Sequence, residues 1–240
     1  MNQVIDKNFT LGILGGMGPL AGVELQRKII KFSPAQKDQD HIKMVCFTNP
    51  HINDRTACLE SGEDFSLSIA TSLNQLKNFG AAIGVIACNT AHAQIEAIEN
   101  QSTLPLVNLV EETVNYLSVC LPDVKKIGLL ATDGTIKSGV YRKYFEKYNF
   151  EEILPDKETQ EVVTELIYSS TGLKSGFVET KINAYVLNAL VERLLDKGAD
   201  MVILGCTELS LLNIDNNKTV DPLIIVAKKI IKLAYHLDVE

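Results

Sequence analysis

Short apolar runs alternate along the whole chain with longer stretches in which apolar residues recur every three or four positions. The short runs, too brief for helices and often bounded by Gly, Pro, Asn or Asp, read as buried strands. They predict strands over 10–14, 42–47, 82–87, 104–108, 126–131, 151–154 and 199–204. The longer stretches predict helices over 19–31, 65–79, 91–98, 110–117, 138–148, 159–169, 176–197 and 222–237. Pro19 and Pro222 stand at first helical positions, where a missing N–H costs nothing, and Gly80 and Gly198 stop two helices. Strands apolar throughout, with helices between them, belong to parallel sheets covered on both faces, an α/β fold.

The pattern is written twice. Leu11-Gly12-Ile13-Leu14 precedes Gly18, Ile127-Gly128-Leu129-Leu130 precedes Gly134, and a helix is expected after each. The interval from Gly12 to Cys88 matches that from Gly128 to Cys206 to within two positions. Chance likeness of two βα units is the alternative. Two similar units are expected: residues 1–110, completed by a C-terminal helix within 215–240, and residues 111–214, with the linker near 108–113. Open parallel sheets bind ligands beyond the carboxyl ends of their strands, often between domains.

Composition narrows the class. The 240 residues are 46% hydrophobic and 22% charged, as in a compact folded protein. A net charge of -7 argues against a nucleic-acid surface and leaves a small anionic substrate open. No run reaches the ~18–20 apolar residues of a membrane span, and Met1–Thr10 does not read as a signal peptide. Five cysteines, an odd number without C-x-x-C spacing, point to free thiols in a reducing cytoplasm and away from structural zinc.

Two of those thiols stand apart. Ala87-Cys88-Asn89-Thr90-Ala91-His92 and Leu204-Gly205-Cys206-Thr207-Glu208-Leu209 each put a cysteine where a buried strand gives way to a helix N-terminus. N–H groups and helix dipole there favour a thiolate. Either cysteine alone is as readily a buried apolar thiol. As a pair in matching contexts they suit removing a proton from one face of a carbon and returning one to the other. Cys46, Cys58 and Cys120 lack that context and read as structural.

Around the pair, Asn89, Thr90 and Thr207 offer N–H groups and short polar side chains to a carboxylate, besides capping helices. Glu208 is open between orienting a thiol, binding a substrate ammonium, and being a plain first-turn acid. His92, four residues after Cys88, reads as polar packing ahead of a metal or catalytic role. Met17 in the first loop, Asn49 and Arg55 after the second strand, Thr132 and Thr135 in the mirrored loop, and Lys174 would face the cleft. Arg55 and Lys174 would hold carboxylates or simply be solvated. Gly16-Met17-Gly18-Pro19-Leu20-Ala21 also fits dinucleotide-loop spacing. Pro19 removes one N–H from that turn, and Thr48-Asn49-Pro50 stands where a ribose-binding acid belongs.

These positions together resemble the aspartate/glutamate racemase family, in particular its aspartate racemase branch, from Gly12 to about Leu212. The motifs are Gly15-Gly16-Met17-Gly18-Pro19, Cys88-Asn89-Thr90-Ala91-His92, Thr132-Asp133-Gly134-Thr135 and Gly205-Cys206-Thr207-Glu208. The resemblance implies two pseudo-symmetric Rossmann-like domains, an interdomain active site, a homodimer, and racemisation without cofactor or metal through two cysteines, matched by Cys88 and Cys206. It implies that Arg55 and Lys174 match the family's carboxylate-binding Arg and Lys, and Asn89 and Thr90 its ligand-binding Asn–Thr pair. Dedicated glutamate racemases carry an Asp-Ser-Gly start and Gly-Cys-Thr-His, where this chain has Gly-Gly-Met-Gly and Gly-Cys-Thr-Glu. Maleate isomerases, hydantoin racemases and arylmalonate decarboxylases share the superfamily, so the scaffold alone leaves the reaction open. A maleate-type isomerase and a non-catalytic dicarboxylate-binding protein are the rivals.

Overall fold

The computed structural model describes residues 5–6, 8–176 and 181–237. The chain runs β1 (Thr10–Gly15), α1 (Pro19–Phe32), β2 (Lys43–Thr48), α2 (Arg55–Ser61), α3 (Ser66–Asn78), β3 (Ile83–Ile86), α4 (Ile95–Gln101), β4 (Leu106–Val107) and α5 (Leu109–Cys120). It continues β5 (Lys126–Leu130), α6 (Asp133–Ser138), α7 (Arg142–Tyr148), β6 (Glu151–Ile153), α8 (Lys157–Tyr168), α9 (Lys181–Asp196), β7 (Met201–Leu204), β8 (Thr219–Val220) and α10 (Pro222–Ala234).

The strands form two four-stranded sheets, ordered β2-β1-β3-β4 and β6-β5-β7-β8. Every pairing is parallel. The winding is the same in both, so the repeated sequence pattern corresponds to a repeated topology. The order places β1 between β2 and β3, and β5 between β6 and β7. Successive connections leave in opposite directions there, opening a crevice beyond the strand ends.

Burial explains the layers. Leu11 and Ile13 on β1 and Val85 on β3 share one apolar core with Ile127 and Leu129 on β5, Ile203 on β7 and the inner face of α10. The opposite faces of the two sheets carry separate cores, around Leu14, Ile69 and Leu73 in one and Leu130, Val163 and Leu190 in the other. α10 packs on α1 and α5, so the last helix lies against the first. Asp221 caps α10 by accepting from the Leu223 N–H at 2.8 Å and ion-pairs with buried Lys28 of α1 at 3.3 Å. Glu24 meets the same ammonium at 2.8 Å, so the buried charge is paired from both sides.

Several expected elements come out differently. The helix expected over 138–148 starts only at Arg142, as α7, and the stretch before it, 132–135, read as a loop, is the capped start of α6, which Gly139 ends in a left-handed conformation (φ +65). The helix over 91–98 begins as a 3-10 turn, Thr90–Gln94, and becomes α4 only at Ile95. The proposed linker near 108–113 is a helix start: the Asn108 side chain accepts from the N–H groups of Val110 and Glu111. α2 and the two-residue strand β8 have too little periodicity to be read from sequence. The first residues of the 176–197 helix, 177–180, lie outside the described residues, as do 1–4, 7 and 238–240. Among the described residues no helix is long and apolar enough to cross a membrane.

Candidate active site

Both sheets deliver a cysteine in the same way. The last ladder bond from β3 to β1 is Ala87 N–H to Leu14 C=O, 2.9 Å; from β7 to β5 it is Gly205 N–H to Leu130 C=O, 2.7 Å. The next residues, Cys88 and Cys206, step off the sheet edge, and both line one cavity. The Thr207 hydroxyl reaches the Ala87 carbonyl at 3.4 Å, so the two thiol-bearing loops touch.

Around the thiols the cavity is lined by Met17, Arg55, Asn89, Thr90, Thr132, Lys174, Thr207 and Glu208, all expected, and by Asp54, Thr56 and Tyr168, which the sequence reading missed. Asp54 and Thr56 flank Arg55, and α2 brings all three in together. Tyr168 sits at the far end of α8, where no local pattern points to chemistry. Its hydroxyl lies 3.4 Å from the Thr56 hydroxyl, across the cleft. Thr135 lies one layer back: its hydroxyl meets those of Thr90 at 2.8 Å and Thr132 at 3.1 Å, closing a buried ring of three hydroxyls. Asn49 does not reach the cavity. Its amide bonds the Ser72 hydroxyl and the His51 N–H, and its backbone packs on Gly16, where any Cβ would lie 2.3 Å from the Asn49 carbonyl.

Glu208, 2% exposed, is the hub. Its Oε1 accepts from the Gly18 N–H at 2.8 Å and lies 3.6 Å from Lys174 Nζ. Its Oε2 accepts from Cys206 Sγ at 3.0 Å and from the Thr207 hydroxyl at 3.2 Å. The carboxylate is thus bonded to the Cys206 thiol and lies beside Lys174. The bond from Gly18 also takes a donor from the Gly-rich turn that a pyrophosphate would need. Neither thiol opens an α-helix: 3-10 segments follow both, Thr90–Gln94 and Leu209–Leu212. The expected dipole assistance is therefore small, and the Cys206 thiol is pushed well above its ordinary pKa, by burial first and by the Glu208 carboxylate second, with Lys174 opposing. Burial alone would lower Lys174, but the Glu208 carboxylate carries it above the usual lysine value.

Arg55 is not a loop cation. As the first residue of α2, 7% exposed, it donates through Nη1 to the carbonyls of Ile52 (3.0 Å) and Asn53 (2.8 Å) and through Nη2 to Met17 (3.0 Å). Lys174 Nζ donates to the same Met17 carbonyl at 3.1 Å. One backbone oxygen thus holds both cations. Arg55 Nε and Asn89 Nδ2 are buried without partners. Asn89 does not cap a helix; its Oδ1 accepts from the buried Tyr141 hydroxyl at 2.6 Å, which leaves the amide N–H groups over. The cavity has only about 10 Å³ of free volume, room for about one water. That is far below the roughly 300–1,000 Å³ of typical ligand pockets. Among the described residues no group of three or more His, Cys, Asp or Glu is placed to hold a metal ion.

Two parallel α/β units that close over a shared pair of thiols define a class of enzyme scaffold, and comparison with known proteins gives the family. Residues 14–234 match the model described as Asp/Glu/hydantoin racemase, and the chain belongs to that family. It is 27% identical over 209 residues to a broad specificity amino-acid racemase of Bacillus subtilis (strain 168), covering 83% of this chain and 86% of that one. The aspartate racemase of Picrophilus torridus superposes with a TM-score of 0.81 at 28% identity, covering 94% of each chain. An aspartate racemase homologue from Pyrococcus horikoshii OT3 shares the fold, with a TM-score of 0.72 over 94% of this chain and 98% of its own at 23% identity.

Proposed function

We propose that this chain is an amino-acid racemase acting on aspartate, and on glutamate to a lesser degree, by proton transfer between two cysteines without a cofactor. The observation that carries this reading is that Cys88 and Cys206, arriving from equivalent strand ends, line one cavity together with two cations. One thiolate takes the α-proton as the C–H bonding pair stays on carbon; the opposite thiol gives its proton to the other face. The two sulfurs end with exchanged protonation, ready for the reverse reaction. Cys206, held as a thiol beside Glu208, is the donor of the resting site, which makes Cys88 the acceptor. The 1–110 unit, completed by 215–240, brings Cys88, and the 111–214 unit brings Cys206.

A substrate carboxylate replaces the Met17 carbonyl as the partner of Arg55 and Lys174, and takes the spare donors Arg55 Nε and Asn89 Nδ2. Neutralising the carboxylates lowers the cost of charge developing at the α-carbon. Aspartate is preferred because the aspartate racemase of Picrophilus torridus aligns over 94% of the chain. A homodimer in the cytoplasm belongs to the same reading, and sedimentation tests the assembly. The functional test is proton NMR of L-aspartate and L-glutamate with enzyme in D₂O. Loss of the α-proton signal with appearance of the D-isomer is expected, faster for aspartate. Conversion of maleate with an untouched aspartate α-proton would overturn the proposal.

A further inference from the structure

One buried titratable side chain stands directly behind a thiol without lining the cavity. His92 is 1% exposed, and its Nδ1 lies 2.8 Å from the carbonyl oxygen of Cys88. A carbonyl only accepts, so Nδ1 carries the ring proton and Nε2 is a bare lone pair. Nε2 is buried with no partner, so a second proton there would be a desolvated N–H⁺ facing no acceptor. Burial accordingly presses the imidazole pKa down to about 4, against the pull of the Cys88 and Asn89 carbonyls and with Lys143 adding to the fall. Across neutral pH the ring is a fixed, uncharged donor.

The bond closes a tight local circuit. The Cys88 N–H reaches back to the Ile86 carbonyl at 2.9 Å, and the His92 N–H donates to the Asn89 carbonyl at 3.0 Å. The imidazole then pins the carbonyl between them. Fixing that carbonyl fixes the peptide plane joining Cys88 to Asn89, and with it the directions of the thiol and of the Asn89 amide. Among the described residues the second unit has no such device. Ser210, four residues after Cys206, donates instead to Asp221 at 2.6 Å, and the Cys206 carbonyl accepts from the Leu209 N–H at 3.0 Å.

We propose that His92 is a positioning residue for Cys88 alone, its Nδ1–H clamping the Cys88 carbonyl so that thiol and Asn89 amide face the substrate. The proposal rests on the two-thiol reading above. It is tested one thiol at a time with the two enantiomers of threo-3-chloroaspartate. One thiolate takes the α-proton, chloride leaves with the C–Cl bonding pair, and the enamine formed hydrolyses to oxaloacetate and ammonium. The opposite thiol is not needed, so each enantiomer reports the cysteine facing its α-proton. Cys88→Ala and Cys206→Ala establish which enantiomer belongs to which.

His92→Leu is expected to slow elimination from the Cys88-dependent enantiomer by about tenfold to a hundredfold, the scale of a misplaced catalytic group, and to leave the other within about twofold. His92→Asn, whose amide N–H falls near the Nδ1 position, should restore the rate; His92→Gln, whose amide reaches too far, should not. Equal slowing of both enantiomers, or no slowing, overturns the proposal. If His92→Leu does not fold, the pair decides: Asn fast and Gln slow supports the clamp, and the reverse order overturns it. Should the two cysteine variants fail to separate the enantiomers, the two-thiol reading falls and the clamp with it. Should they separate while the His92 variants do not, only the clamp falls.

Discussion

The two half-sites share a topology and differ in what surrounds the sulfur. Cys88 is supported through its backbone, by the His92 imidazole on its carbonyl, and its side-chain neighbours Asn89 and Thr90 are neutral. Cys206 is supported through its side chain, by a carboxylate 3.0 Å from the thiol and a lysine beyond it. A repeated fold thus brings two sulfurs to one cavity, while local differences in sequence give each a different surrounding. Burial first and then the Glu208 carboxylate favour the protonated form of Cys206, and the position matching Glu208 in the other unit is the neutral Thr90.

The comparison breaks most completely by removing either sulfur. Cys88→Ala and Cys206→Ala should each lower racemisation by on the order of 10²–10⁴-fold with the melting temperature little changed, measured by chiral chromatography beside thermal unfolding. Near-normal turnover in either variant would contradict the scheme. The asymmetry is sharpened by Glu208→Gln. Removing the like charge beside Cys206 favours its thiolate, so peptide-resolved iodoacetamide labelling of Cys206 should begin at lower pH than in the unsubstituted protein. Turnover at neutral pH should fall as well, because the donor is less firmly protonated and half-buried Lys174 loses its partner.

His92 provides a smaller effect on stability. Its folded pKa, about 4, lies below the unfolded value near 6.5. Its contribution is therefore complete above about pH 6.5 and is lost as pH falls toward 4, because the unfolded chain takes up the proton first. The loss amounts to about 3 kcal/mol at most, and His92→Asn should flatten the decline of melting temperature between pH 7 and 4.5. Smallest is the effect of Gly134→Ala. A Cβ there would lie 2.6 Å from the Thr56 hydroxyl and 2.9 Å from Thr56 Cα, where α6 meets α2. Crowding that contact shifts Thr56, which lines the cavity, so KM for aspartate should rise about threefold or more while the fold persists.

Much of this was legible in the chain because it depends on local order. Apolar strands ending in Cys88 and Cys206 and the equal spacing of the halves gave the α/β class and the pair of thiols. The Glu208 hub, the burial of Arg55 and the displacement of Asn49 were not legible, since each depends on which backbone atoms another loop presents. Arg55 reads as a polar loop residue until α2 turns its guanidinium onto three carbonyls. Tyr168 reaches the cavity only because α8 ends beside it. The dipole argument failed for a local reason: the residues after each thiol wind too tightly for an α-helix, and at Cys206 the Glu208 carboxylate acts against a thiolate.

The most direct measurement follows deuterium through the first few per cent of conversion of L-aspartate in D₂O. Two thiols on opposite faces predict D-aspartate carrying deuterium at its α-carbon in essentially every molecule formed, because the donor sulfur has exchanged with solvent, while the remaining L-aspartate keeps protium. D-aspartate that retained the original proton would mean one base serving both faces, and the assignment of Cys88 and Cys206 as partners would be wrong.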